Sequence, residues 1–376
     1  MSDLDLARTT ERTGLPGHPR FHWHSLPRPI WALAPMEDVT DTVFRGLVRE
    51  WSRRAGGPDA GPRLMFTEFA RVDAARRTLQ ALRGERAGAP DAPGAERGPR
   101  PNLRLLYDES ERPLIAQIWG TRPEEYRDAA AALEELGFDG IDLNMGCPVR
   151  KIRRQGACSA LIGNPELARE IIAAVREGSA LPLSVKTRIG LSTPQTEQWC
   201  GMLLEQPIDA LTVHPRTADQ MSEGRADWNE VGRVVRMRDG LSETRARPAP
   251  LVLGNGDVGS LQEARQLVTE TGADGVMFGR GIFGDPLLFA REAAPQLPAW
   301  QALPLELRLG YLAEHIQRYA ARWGGRRSYE ILKKFFRNYL AAGAEGSPLL
   351  DELYATHRAE DALAILQREG ARTMAS

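Results

Sequence analysis

Residues 139–151 read DGIDLNMGCPVRK. Ile141 and Leu143 are apolar and alternate with Asp142 and Asn144, the pattern of a strand. The strand breaks at Gly146 and carries a cysteine, Cys147, on its tip, locked by Pro148. A helical pattern follows, NPELAREIIAAVREG (164–178), with Asn164 as a cap, Pro165 at the first helical position and Glu166 beside it. LPLSVKTR (181–188) is then a second apolar strand. The same alternation extends in both directions. PIWALAPM (29–36), LMFTEFA (64–70) and PLIAQIWG (113–120) precede it, and ALTVHPR (210–216), PLVLGNGD (250–257) and GVMFGRG (275–281) follow. Amphipathic stretches such as PEEYRDAAAALEELG (123–137) lie between the runs. Near-continuous apolar strands alternating with helices argue a parallel sheet covered by helices. Eight units in roughly 250 residues predict an α/β fold, a (β/α)8 TIM barrel, with a doubly wound open sheet as the competitor.

The chain divides into three parts. Residues 1–28, rich in Pro, Gly and His, read as a flexible N-terminal arm, and 29–295 as the barrel. After that the pattern is helical only, so 296–376 reads as a small all-helical domain. LELRLGYLAEHIQRYAARWG and SYEILKKFFRNYLAAG form two of its helices, and a third runs through about Leu366. Two segments interrupt the barrel pattern: GERAGAPDAPGAERGPRPN (84–102), read as a mobile surface insertion, and DGLSETRARPAP (239–250), a shorter loop.

Composition narrows the function classes. At 376 residues, 42% hydrophobic and 26% charged, the chain is globular rather than disordered. Its apolar runs are too short to cross a bilayer, and the N-terminus has no signal-peptide core. Cys147, Cys158 and Cys200 make no disulfide framework and fit no zinc spacing; the six histidines include no HExxH. No metal and no membrane are expected, and a reducing cytoplasm is the expected compartment. Net charge is −1, but residues 318–337 hold seven basic side chains against one acid, Glu330. That local excess asks for an anionic partner. Only four of the 49 basic residues are lysine (Lys151, Lys186, Lys333 and Lys334), which suits positions needing a compact ammonium; chance placement is the plainer reading.

In a barrel, the residues ending the strands share one mouth. Here they are Pro35, Met36, Glu68, Gln117, Asn144, Cys147, Lys186, Arg188, His214, Arg216, Asn255, Asp257, Gly279 and Arg280. Two glycine clusters, GNGD (254–257) and GRG (279–281), end the last two strands, where barrels often hold a phosphate; tight strand-to-helix turns would give the same glycines. Lys186, at the end of a buried strand, needs an anion or an electron-rich ring, or a salt bridge to a carboxylate such as Asp142. Gln117 suits the edge of a heterocycle.

With these residues in place the sequence resembles the tRNA-dihydrouridine synthases over almost its whole length. The carrying motifs are APMEDVTDTVFR (34–45), TEF (67–69), AQIWG (116–120), DGIDLNMGCPVRK (139–151), SVKTRIG (184–190), LTVHPRT (211–217), GNGDV (254–258) and DGVMFGRG (274–281). The resemblance implies an FMN-containing barrel, NADPH as reductant, and a helical domain that helps hold the D-arm of tRNA; a monomer is expected. It makes Pro35, Met36, Gln117, Lys186, His214, Asn255, Asp257, Gly279 and Arg280 the FMN-site candidates. Asn144 and Arg216 are to face the target uracil, and Cys147 is to be the catalytic acid. The chain departs from the pattern at QGACSAL (155–161), where many members have a second glycine-rich turn and this chain has Cys158, and at the 84–102 insertion.

The implied reaction accounts for a thiol on a strand tip. Reduction of the uracil C5–C6 bond takes a hydride at C6 from reduced flavin and a proton at C5. A thiol with an ordinary pKa near ~8.5 is mostly protonated at neutral pH and can donate it. As small buried hydrophobes, Cys158 and Cys200 need no role. A base inside folded RNA must be turned out to be reached. The basic segment 318–337 is interleaved with Tyr319, Trp323, Tyr329, Phe335 and Phe336. Most of these aromatics are expected in a helical core, with several of Arg326, Arg327, Lys333, Lys334 and Arg337 on phosphates. Two other functions fit the same residues less fully: a flavin barrel reducing a free small molecule, and a non-catalytic tRNA-binding protein.

Overall fold

A computed structural model describes residues 21–84, 100–241, 247–340 and 347–375. Most of the expected 84–102 insertion, the centre of the 239–250 loop and residues 1–20 of the N-terminal arm lie outside the described residues. The chain forms two compact units. The first comprises residues up to Glu37, Pro62–Val258 and Gln262–Gly279; the second comprises Asp38–Gly61, Gly259–Leu261 and Arg280 to the C-terminus.

The first unit holds eight barrel strands: β1 (Ile30–Leu33), β2 (Leu64–Phe66), β3 (Leu114–Trp119), β4 (Gly140–Met145), β5 (Leu183–Arg188), β6 (Ala210–His214), β7 (Leu251–Asn255) and β8 (Gly275–Phe278). Each pairs in parallel with the next, and β8 pairs in parallel with β1, so the sheet closes. The open-sheet alternative is thereby excluded. Each strand lies within one of the eight apolar runs. Closure depends on a glycine: a Cβ on Gly275 would lie 2.1 Å from the Ile30 carbonyl oxygen. The 64–70 run is shorter as a strand than it reads, because the chain leaves the sheet at Thr67 and pairs again only at Ala70–Arg71, against Ile118–Trp119.

The barrel core is built from Ile30, Ala32, Leu64, Phe66, Ile115, Leu251, Leu253 and Met277, alternate positions that point inward. Trp23, in the last part of the expected N-terminal arm, packs into this cluster with 1% exposure. Helix Pro165–Gly178 starts as its sequence indicates, with the Asn164 side chain accepting from the Leu167 N–H at 3.3 Å.

The second unit takes in helix Thr42–Gly56 as well as the C-terminal helices Leu305–Trp323, Lys333–Leu340, Pro348–Ala355 and Ala359–Ala375. The single third helix expected through Leu366 is therefore two. They part at Thr356, whose buried hydroxyl donates to the Leu353 carbonyl at 2.6 Å and lies 2.7 Å from the Tyr329 hydroxyl. An aromatic cluster fills this unit. Phe44 packs tilted against Phe335 (5.0 Å between ring centroids), and His315 meets Phe335 (4.6 Å) and Trp51 meets Tyr311 (5.0 Å) edge to face. Burial holds His315 neutral, its pKa pushed down to about 3. The indole N–H groups of Trp323 and Trp51 donate to Asp41 (2.7 Å) and Glu314 (2.8 Å).

Candidate active site

The ends of β3, β4 and β5 carry a chain of hydrogen bonds that terminates on the cysteine turn. Asp142 is fully buried. Its two oxygens accept from the Ser184 hydroxyl (2.6 Å) and the Gln117 amide (2.7 Å). Gln117 Oε1 accepts from Asn144 Nδ2 (3.0 Å), and Asn144 Oδ1 accepts from the backbone N–H groups of Gly146 (3.1 Å) and Cys147 (2.9 Å). Each amide is thus oriented by its neighbour, with a buried carboxylate at the root. Burial lifts the Asp142 pKa to about 6, held there against the two hydrogen bonds and the Lys186 charge, so it remains mostly ionised at neutral pH.

Cations flank this chain. Lys186 and Asn144 face each other across β4 and β5. Lys186 Nζ donates to Asn255 Oδ1 at 2.8 Å, and Asn255 Nδ2 is anchored on the Met277 carbonyl at 2.7 Å. Burial first, then repulsion from Arg188, brings the Lys186 pKa down to about 8, with Asp142 pulling the other way. Asp142 attracts this ammonium without forming an ion pair with it, so the salt bridge weighed as the plainer explanation of Lys186 is not made. Arg188 donates to the carbonyls of Gly146 (3.0 Å) and Thr217 (2.8 Å). Its pKa falls to about 10, chiefly through burial and then through Arg216.

Cys147 sits half-buried at the centre. The Cys158 thiol hydrogen-bonds to its sulfur, and this contact is the largest cause that draws the Cys147 pKa down to about 7. Burial opposes the shift; the Val149 N–H, Arg188 and Lys186 assist it. The turn is pinned from the other side by Ser159, whose hydroxyl donates to the Cys147 carbonyl at 2.8 Å. A thiol of this kind is about half protonated at pH 7, a more acidic group than the unperturbed thiol the sequence suggests.

Gln117, Asn144, Cys147, Lys186 and Asn255 therefore meet in one constellation. Met36 and Gly279 adjoin it: a Cβ on Gly279 would lie 3.9 Å from both Asn255 Nδ2 and Met36 Sδ. Pro35 is half-buried beside Met36. His214, Arg216 and Asp257 form a neighbouring group. Arg216 is 1% exposed, pairs with Asp257, lies 3.0 Å from His214 Nε2 and donates to the carbonyls of Glu223 and Gly224. Those contacts make Arg216 a brace of this wall. The turn after β7 uses left-handed backbone at Gly256 (φ 121) and Asp257 (φ 58), and a Cβ on Gly256 would lie 3.0 Å from the His214 ring. Arg280 belongs to the second unit, at the start of the short helix Gly281–Gly284.

The basic segment also lies in the second unit. Tyr319, Trp323, Phe335 and Phe336 are buried. Arg327 is buried against Trp323 and pairs with Asp38 (3.4 Å) and Asp41 (3.6 Å), while Lys333 pairs with Glu330 at 2.8 Å. Arg326 lies over the Trp323 ring. Lys334 and Arg337 are exposed, Lys334 with a 3.5 Å contact to Asp38.

Three features went unassigned in the sequence reading. Arg188 braces the cysteine turn. Cys158 sits against Cys147. The third is the run RKIRR (150–154) after the turn, four cations in five residues. Arg150, Arg153 and Arg154 line a cavity of about 380 Å³ with Ala160 and Leu191. Arg153 pairs with Asp219 at 2.6 Å, while Arg150, Lys151 and Arg154 are exposed. The density of the run was a visible signal; the other two depend on contacts made only on folding.

The family model described as "Dihydrouridine synthase (Dus)" matches residues 32–373 of this chain. The chain belongs to the dihydrouridine synthase family. Relatives within it include a "Probable tRNA-dihydrouridine synthase 2" of Bacillus subtilis (strain 168), 36% identical over 92% of this chain and 95% of its own. A "Probable tRNA-dihydrouridine synthase" of Staphylococcus aureus (strain COL) is likewise 36% identical, over 92% of this chain and 94% of its own. The constellation around Cys147 and Lys186 thus lies inside the region that defines the family.

Proposed function

We propose that this protein is an FMN-dependent tRNA-dihydrouridine synthase that uses NADPH to reduce the C5–C6 bond of a uridine in the tRNA D-loop, with Cys147 as the proton donor. One observation carries the reading: a half-buried thiol fixed beside a half-buried lysine that has no carboxylate partner among the described residues, at the mouth of a family barrel. A flavin site is supported by the donor set. Lys186 is a half-buried cation whose one hydrogen-bond partner among the described residues is an amide oxygen. Thr212, its cross-strand partner, has a buried hydroxyl with no hydrogen-bond partner among the described residues. Lys186, Asn255, Gln117, Met36 and Gly279 would hold FMN, with His214 and Asp257 behind them and Pro35 and Arg280 as further candidates. Bound and reduced, FMN supplies hydride chemistry at C6 of the base.

The remaining chemistry belongs to side chains. Cys147 Sγ–H delivers the proton to C5, and a thiol near pH 7 is matched to that task. Asn144 uses one Nδ2 hydrogen on Gln117 and keeps a second for a uracil oxygen. Arg188 and Lys186 provide positive charge where the oxygen gains negative charge. RNA phosphates are gripped by the exposed Arg150, Lys151 and Arg154 of the first unit and by Lys334, Arg337 and Arg326 of the second. Arg327 and Lys333, already neutralised by acids, hold the second unit together instead.

The test is Cys147→Ala. The variant should retain bound flavin and tRNA affinity and lose about 10²–10⁴-fold in dihydrouridine formation, the span of positioned proton transfer. Near-native turnover would remove Cys147 from the mechanism.

A further inference from the structure

The Cys147 turn faces a second thiol whose presence the reduction does not require. Cys158 is fully buried next to the Cys147 turn, close enough for each thiol to shift the pKa of the other, Cys147 down and Cys158 up. The two segments are fastened together here: Ser159 donates from its hydroxyl (2.8 Å) and its backbone N–H (3.4 Å) to the Cys147 carbonyl. Cys158 holds this place in left-handed backbone, φ 55, a conformation that favours glycine. A side chain kept where glycine would be less strained points to a use for that side chain. The third thiol, Cys200, is buried elsewhere, with its pKa pushed up to about 12 by burial, and is inert.

We propose that Cys147 and Cys158 are a reversible redox modification site, closed to a disulfide by a hydroperoxide and reopened by thiol reductants. The Cys147 thiolate attacks one peroxide oxygen; the O–O bond breaks, leaving sulfenic acid on Cys147 and releasing hydroxide. Cys158 then attacks the Cys147 sulfur, forming the S–S bond, breaking the S–O bond and expelling the sulfenic oxygen as water with the Cys158 proton. Two thiols lose two electrons and two protons, and one hydrogen peroxide becomes two waters. The cations Arg188 and Lys186 near Cys147 favour its thiolate, while the buried Cys158 stays protonated as the resolving partner. Closure removes the Cys147 proton, so the oxidised enzyme cannot protonate C5. It also keeps Cys147 off the irreversible higher oxidation states. The loss of turnover rests on the proposed reaction; the thiol chemistry does not.

The test treats reduced, flavin-loaded enzyme with a slight excess of hydrogen peroxide, blocks free thiols with iodoacetamide under denaturing conditions, and maps peptides by mass spectrometry. The expected result is a Cys147–Cys158 linked peptide lacking two hydrogens, with Cys200 alkylated and both thiols restored by dithiothreitol. Cys158→Gly and Cys158→Ser should give no linked peptide. In them Cys147 should gain two or three oxygens that dithiothreitol does not remove. Wild-type Cys147 carrying those oxygens without a linked peptide, or both thiols remaining alkylatable, overturns the proposal. Because the map is read without tRNA, failure of the disulfide is distinguishable from failure of dihydrouridine formation.

Discussion

Replacing Cys158 with glycine removes one thiol and relieves a left-handed residue, so the fold should tolerate it. Its effect falls on Cys147. The Cys158 hydrogen bond is the largest cause of the low Cys147 pKa, and burial works against it. Without that bond the pKa should rise from about 7 toward the ordinary thiol value near ~8.5, with burial pushing it up and the Val149 N–H, Arg188 and Lys186 still drawing it down. At a pKa of ~8.5 the thiolate share at pH 7 is about 3% rather than about one half, roughly 15-fold less. A more basic thiolate is also more nucleophilic: with a Brønsted coefficient of about 0.4–0.5, a rise of about 1.5 units raises the plateau rate about 5-fold. Alkylation at pH 7 should therefore slow only about 3-fold, so the pH profile is the informative readout. The assay is the iodoacetamide rate at Cys147 from pH 5.5 to 10 (~half-unit steps), read by peptide mass spectrometry. The midpoint should move upward from about 7 toward ~8.5. The same shift should appear in turnover. A donor must be protonated to act, so the rate should fall tenfold per unit above about 7 in the native enzyme and only above the raised midpoint in the variant. A variant midpoint that stays near 7 would refute the assignment of the acidity to the thiol pair.

Lys186→Met keeps the length of the side chain and removes its charge. It should weaken flavin retention by about 10–150-fold, the value of one charged hydrogen bond, measured by flavin absorbance after dialysis. Gly254→Ala would put a Cβ 2.0 Å from the Trp228 ring; it should cost about 1–3 kcal/mol and lower the melting temperature. Gly46→Ala, in a helix where the new methyl would meet nothing within 4 Å beyond its own helix backbone among the described residues, should instead gain about 0.5–1 kcal/mol. Arg150→Ala, Lys151→Ala and Arg154→Ala together should weaken tRNA binding and flatten its salt dependence by about one per lost phosphate contact, with bound flavin unchanged.

The strands were legible because each is a short apolar run ended by polar or glycine residues, and parallel strands covered on both faces have little choice of pattern. The residues that end those strands could be named for the same reason: a barrel gathers strand ends wherever its helices go. Their mutual roles could not be read. Lys186 reaches Asn255, and Arg216 reaches Asp257, across separate strands, and no local pattern records such partners. Arg216 read as a substrate contact because its position fits. The structure surrounds it with acceptors of its own chain. Arg327 reads as one more surface cation in a basic run; its acids, Asp38 and Asp41, lie near the other end of the sequence. Cys158 was passed over because a buried cysteine usually packs as a small apolar group. Only the fold brings its sulfur against that of Cys147. The break at Thr356 depends on a hydroxyl shared with Tyr329, a tertiary contact that overrides a continuous helical pattern.

The most direct measurement uses tRNA transcribed in vitro or taken from cells lacking this gene, incubated with flavin-loaded protein and NADPH, then digested and mapped by fragment mass spectrometry. The account predicts that a defined D-loop uridine gains two hydrogens in wild-type protein, and that Cys147→Ala, still yellow and still binding tRNA, leaves it unreduced. Protein that retains flavin and oxidises NADPH, yet leaves every uridine unchanged, would contradict it.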